Sequence, residues 1–143
     1  MICACTLQAT ATGKQPRLTD DELMTLVQKQ TFRYFWDFAH PESGLARERS
    51  NDRLEIATIG GSGFGVMAII VGVERGFITR EQGAERLLKI VEFLNKADSY
   101  HGIWAHWMDG ATGKTIPFSR KDDGADLVES AFMFEGLLAA HQY

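Results

Sequence analysis

The sequence predicts an all-α fold: the N-terminal portion of an incomplete (α/α)6 toroid, a ring of paired inner and outer helices, with long loops. Three observations carry this reading. Residues 60–75 (GGSGFGVMAIIVGVER) are apolar nearly all round once past their glycines, as in a helix buried on most sides. After a tight turn at Gly76, residues 79–97 place Leu87, Leu88, Val91, Phe93 and Leu94 on one side. Glu81, Glu85, Arg86, Lys89 and Glu92 fall on the other. A buried helix followed by an amphipathic one reads as an inner and outer pair. Third, the helical pattern of the final residues runs to Tyr143 without a C-cap signal. A ring of six pairs needs roughly 300 residues. The 143 residues hold two pairs, so the chain reads as the first third of a larger domain.

The elements follow in order. Residues 1–18 are polar and rich in small residues, a disordered leader. Its Cys3 and Cys5 are the only cysteines. They are too few and too close for a disulfide framework or a zinc site of about four ligands. Ile2-Cys3-Ala4-Cys5 reads either as the stub of a lipoprotein signal with a lipid on Cys5, its charged and apolar parts missing, or as an arbitrary start inside the leader; the first reading goes with a periplasmic or extracellular protein. The domain proper spans residues 19–143. Thr19-Asp20-Asp21-Glu22 is a capping box that opens a helix to Ala39, stopped by His40-Pro41. Residues 41–59 read as a long functional loop with short extended pieces, carrying Arg47, Arg49 and Arg53. Thr79 and Gln82 form a second capping box. Residues 100–121 are turn-rich, with a hairpin expected around Asp109-Gly110. Residues 124–143 form the last helix. A net charge of −4 gives no basic footprint for nucleic acid, and no apolar run reaches the ~20 residues of a membrane helix.

Two tracts carry the chemistry. Residues 122–135 (DDGADLVESAFMFE) place Asp122, Asp126 and Glu129 at spacings of four and three, within ~100° on one helical face. Like charges so placed favour one protonated acid beside an ionised base. The simpler account is a helix start enriched in acids by the helix dipole. Asp122-Asp123-Gly124-Ala125-Asp126 also spells the DDxxD pattern of magnesium-dependent prenyl diphosphate enzymes, although Gly124 weakens its middle. Residues 102–113 (GIWAHWMDGATG) set Trp104 and Trp107 about His106. Flat rings suit sugar faces, and the polar edges suit hydroxyls. The same indoles equally suit the end of a core. The glycine-rich start at residues 60–65 makes a weak phosphate cradle, since no lysine follows. It better fits a helix end approached closely by another backbone or a ligand, with Ser62 as cap and contact.

Read together, YFWDFAHPESGLARERS, ATIGGSGFGVMAIIVGVERGFITREQGAERL, GIWAHWMDGATGK and DDGADLVESAFMFEGLLAA resemble the bacterial glucoamylase-like family. That family includes endo-β-1,2-glucanases and a domain of cyclic β-1,2-glucan synthases. The resemblance covers residues 19–143. It implies an (α/α)6 toroid about three times this length, and inverting hydrolysis of a β-linked glucan by an acid and a base about 6.5–9.5 Å apart. By the match, Asp122, Asp126 and Glu129 are the catalytic candidates. Trp104, His106, Trp107, Ser62, Phe64 and Arg49 are the sugar-contact candidates. The expected partner is an oligo- or polysaccharide, with no metal or organic cofactor. The alternative within the same resemblance is a carbohydrate-binding or synthase-associated domain without hydrolytic activity.

Overall fold

The computed structural model describes residues 17–51 and 53–143; most of the leader, with Cys3 and Cys5, lies outside them. Nearly half the chain is helical. In chain order the elements are α1 (Asp20–Trp36), β1 (Ile56–Thr58), α2 (Ile59–Glu74), α3 (Arg80–Leu94), β2 (Ser99–Tyr100), β3 (Ile103–Trp104), β4 (Trp107–Asp109), β5 (Thr115–Ile116) and α4 (Leu127–Gln142).

Local chemistry explains the helix boundaries. Thr19 and Glu22 close the expected capping box on α1: the Thr19 N–H donates to Glu22 Oε2 at 2.8 Å, and the Glu22 N–H donates to Thr19 Oγ1 at 3.3 Å. The helix ends three residues before Ala39. The amides of Asp37 and Phe38 share the Arg33 carbonyl, so the ladder loosens ahead of the barrier that Pro41 sets for His40. Thr79 and Gln82 repeat the capping box on α3. The last helix starts three residues later than expected, with Asp126 as its N-cap.

The strands correct the all-α expectation. Between the helices lies an antiparallel sheet in the order β1-β4-β5, with Ala57 opposite Met108 and Trp107 opposite Ile116. The β4–β5 turn is the hairpin expected at Asp109-Gly110, with a five-residue loop. A second hairpin, β2–β3, turns on His101 (φ 53°) and Gly102 (φ 81°), the two positive φ values that a tight primed turn needs.

Helices α2 and α4 form the centre, and they run parallel. Gly60 meets Glu129 at their N-terminal ends, and Tyr143 Oη donates to Glu74 Oε1 at 2.6 Å at the other. Their approach is backbone to backbone. A Cβ on Gly63 would stand 2.3 Å from the Phe132 carbonyl oxygen, and one on Gly136 2.5 Å from that of Gly63. This is the close approach expected at the glycine-rich start. Helix α1 lies antiparallel to α2, with Phe32 beside Gly72 and Phe35 beside Gly65; α3 is also antiparallel, with Gly83 beside Val73. The core joins Ile59, Val66 and Ile69 of α2 to Ile90, Leu94, Met108 and Met133. Phe64, Met67 and Val71 leave an exposed stripe on α2, so that helix is less enclosed than its composition implies. No described helix is long and apolar enough to cross a membrane.

Candidate active site

The site forms where the sheet meets the N-terminal ends of the two parallel helices. The chain around residue 105 is clipped onto the first turn of α4. The Asp126 N–H donates to the Trp104 carbonyl at 2.8 Å, and the Trp104 N–H donates to Ser130 Oγ at 3.0 Å. The His106 carbonyl in turn accepts the Ile59 N–H, the first amide of α2, at 3.2 Å. These bonds hold the His106 ring over the start of α4.

Three carboxylates converge on that ring. His106 Nδ1 lies 3.2 Å from Asp126 Oδ2 and 3.6 Å from Asp122 Oδ2; Nε2 lies 4.0 Å from Glu129 Oε1. All four side chains are partly buried: His106 is 23% exposed, Asp126 18%, Glu129 19% and Asp122 33%. The helix ends fix two of the acids. Asp126 Oδ1 accepts the amides of Val128 and Glu129 at 2.9 and 3.0 Å, which leaves Oδ2 facing His106. Glu129 Oε2 accepts the Gly60 N–H of α2 at 2.9 Å. Both helices thus present their N-terminal amides to these carboxyl groups.

The acids do not share one helical stripe, as the spacing implied. Only Glu129 is in α4; Asp126 caps it, and Asp122 sits in a turn that pairs with Ser119. Gly124 favours no helix, and Asp126 serves the cap better than a helix interior. A bent loop achieves the convergence instead. The dipole account and the clustering both hold, because one Asp126 oxygen caps the helix while the other meets His106.

The sugar-contact candidates separate. Trp104 packs on Phe134 and donates its indole N–H to the Leu94 carbonyl at 3.3 Å, which commits it to the core edge. Trp107 is only 7% exposed. Ser62 is buried: it accepts the Ala46 N–H at 2.8 Å and donates to the Thr58 carbonyl at 2.6 Å, while Thr58, not Ser62, is the N-cap of α2. These bonds occupy the hydroxyl that a sugar would need. Phe64 is exposed against Phe132. Arg49 pairs with Glu48, its Nη2 donating to Oε1 at 2.9 Å. Arg47 stacks over Phe38 and donates to the Phe38 carbonyl, so it braces the loop.

Two further groups border the acids. Phe118 stacks on the His106 ring at 4.1 Å with an 18° tilt, and it is half exposed. The Arg49 guanidinium beside Glu48 holds its carboxyl below the usual carboxylate range, with a contribution from His106, so Glu48 lies within the field of this cluster. A lone phenylalanine in a polar loop and a glutamate between two arginines were the only sequence signals for them. For a metal, His106, Asp122 and Asp126 each offer one ligand atom within 4.8 Å of one another, so the donor set suits a divalent ion. Asp123, the second acid of DDGAD, is outside that group.

No protein-family model matches the chain. Its relatives do define a class: it is related to the bacterial glucoamylase-like glycoside hydrolases and matches a limited part of their length. The chain is 55% identical over 127 residues to an exo-β-1,2-glucooligosaccharide sophorohydrolase (non-reducing end) of Parabacteroides distasonis, covering 88% of this chain and 18% of that protein. An endo-β-1,2-glucanase of Chitinophaga pinensis, solved with sophorotriose and glucose, is 54% identical with a TM-score of 0.85. That match covers 89% of this chain and 32% of the enzyme. A Bacteroides uniformis structure named as a candidate glucoamylase is 83% identical with a TM-score of 0.88, over 90% of this chain and 32% of its own. The chain spans about a fifth of the curated relative and about a third of these solved ones. The family resemblance read from the sequence is borne out.

Proposed function

We propose that the chain supplies part of the catalytic cleft of a glycoside hydrolase acting on β-1,2-linked glucan. The observation that carries this reading is the convergence of Asp122, Asp126 and Glu129 on one partly exposed histidine, at the positive ends of two parallel helices. The relative that was solved with sophorotriose supports a glucan as the ligand. In this reading α2 and α4 are inner helices of an (α/α)6 ring, and α1 and α3 stand outside them. The exposed stripe of Phe64, Met67 and Val71 on α2 then faces the ring interior or a neighbouring helix. Asp126 and Glu129 are the first choices for the acid–base or water-positioning carboxylates. Inverting chemistry needs room for a water between acid and base, so a second acid is expected from another part of the ring. Phe118 and Phe64 take over from the indoles as the exposed apolar faces for sugar rings. Export, with a lipid on Cys5, accompanies this proposal, and radiolabelled fatty acid incorporation tests it.

The test uses residues 19–143 in place of the matching segment of the Chitinophaga pinensis endo-β-1,2-glucanase. New reducing ends from linear β-1,2-glucan are the expected result. A chimera that melts cooperatively and retains oligosaccharide but releases no reducing ends would replace the catalytic reading with the binding-domain alternative.

A further inference from the structure

We propose that His106 is a positioning residue whose ring bridges Asp122, Asp126 and Glu129 and holds the three carboxylates in one arrangement. The inference rests on the catalytic reading of those acids and assigns the histidine a different task from sugar contact.

The atoms available on the ring decide between the two tasks. Both nitrogens are directed at carboxylates: Nδ1 at Asp126 and Asp122, Nε2 toward Glu129. One ring face is covered by Phe118 at 4.1 Å, and the Trp107 indole meets the ring edge-on at 5.9 Å. Little of the imidazole remains for a hydroxyl. The acids, by contrast, come from three separate places: a turn, a helix cap and the third residue of α4. The histidine is the group that all three approach. The backbone that carries the ring is fixed, by the Ile59 N–H donating to the His106 main-chain carbonyl and by strand pairing from Trp107 onward. A fixed ring packed among several carboxylates acts on the turnover step, because their geometry matters most when charge develops on the substrate. It contributes less to ground-state binding.

The experiment uses the chimera just described. His106→Ala is expected to lower kcat about 100-fold while KM stays within about threefold. Imidazole added to the buffer is expected to restore about a tenth of the lost rate by occupying the space beneath Phe118. A rise in KM at unchanged kcat would make His106 a sugar contact and overturn the proposal. A loss of kcat that imidazole leaves untouched would make it scaffolding and overturn it equally. Should His106→Ala fail to fold, His106→Gln carries the test: it fills the space but spans only one side, so kcat is expected to fall about tenfold. Wild-type kcat in that variant would overturn the inference. An inactive chimera with wild-type His106 counts against the catalytic reading itself, which keeps the two failures apart.

Discussion

Helix α4 has two apolar flanks of opposite character. Toward α2 it is closed: glycines at positions 63 and 136 bring the backbones into contact, and Gly60 donates to Glu129. Toward α3 it is open: Leu87, Leu88, Val91, Leu137 and Ala140 line a groove, with Leu88 63% exposed. The closed flank sets the relative height of two helix ends and therefore the geometry of the acids. The open flank contributes no such registration. Apolar composition alone does not distinguish them; the size of the residues at the crossing does.

Perturbing the closed flank should have the larger effects. In the chimera, Asp126→Asn and Glu129→Gln are each expected to lower kcat about 1000-fold on β-1,2-glucan with the melting temperature nearly unchanged. Asn is itself a good N-cap, and Gln keeps an oxygen for the Gly60 N–H. Wild-type rates in both would reduce the cluster to helix-end electrostatics. Gly63→Ala is next. It forces a methyl against the Phe132 carbonyl and is expected to destabilise the chimera by about 3 kcal/mol in urea unfolding, with activity falling in parallel.

The open flank sharpens the contrast. Leu88→Glu in the isolated chain is expected to change stability by no more than about 0.5 kcal/mol, because the side chain is already in water. The same change in the chimera should destabilise it clearly if a further helix covers the groove. The isolated chain should melt broadly and bind a hydrophobic dye, since Leu23, Met24, Val27 and Leu138 are also bare. A sharp melt would show that these faces need no cover.

The smallest effect concerns acid. Thr112 donates to Asp109 through its hydroxyl and amide and holds the Asp109 carboxyl below its ordinary value. Lys114 and the Thr115 amide do the same for Asp98. A lowered carboxyl contributes stability above its unfolded pKa, near 3.9 for aspartate, and loses it as pH falls through the folded value. The β4–β5 hairpin should therefore loosen below about pH 4, visible in its amide exchange, and Asp109→Asn should flatten that dependence.

The sequence made some of this legible for definite reasons. Both capping boxes are local: four residues contain donor and acceptor, so Thr19 and Thr79 mark their helices correctly. The glycines of α2 pointed to a close approach because glycine weakens a helix, and the room left by a missing Cβ offsets that cost only when a neighbour fills it. The sheet was harder to see. Ile56-Ala57-Thr58 is too short to show alternation and is a strand only because residues 107–109 lie beside it. The acids were found by spacing, but the spacing implied a stripe where a loop and a cap do the work. The indoles stayed open between two roles because a tryptophan with a polar edge serves a core as readily as a sugar, and the bond to the Leu94 carbonyl ties Trp104 to the core edge. Phe118 reaches His106 only through tertiary folding, which no local pattern records.

The donor at the start of α2 also bears on which molecules this mouth turns away. Its two leading amides are already spoken for, one by the His106 carbonyl just ahead of β4 and one by a side chain sixty-nine positions later in the chain. A phosphorylated metabolite arriving at that glycine run would find its natural perch occupied and a fixed negative group beside it. Uncharged, hydroxyl-rich molecules, the ligand class proposed above, would meet no such group in competition with them.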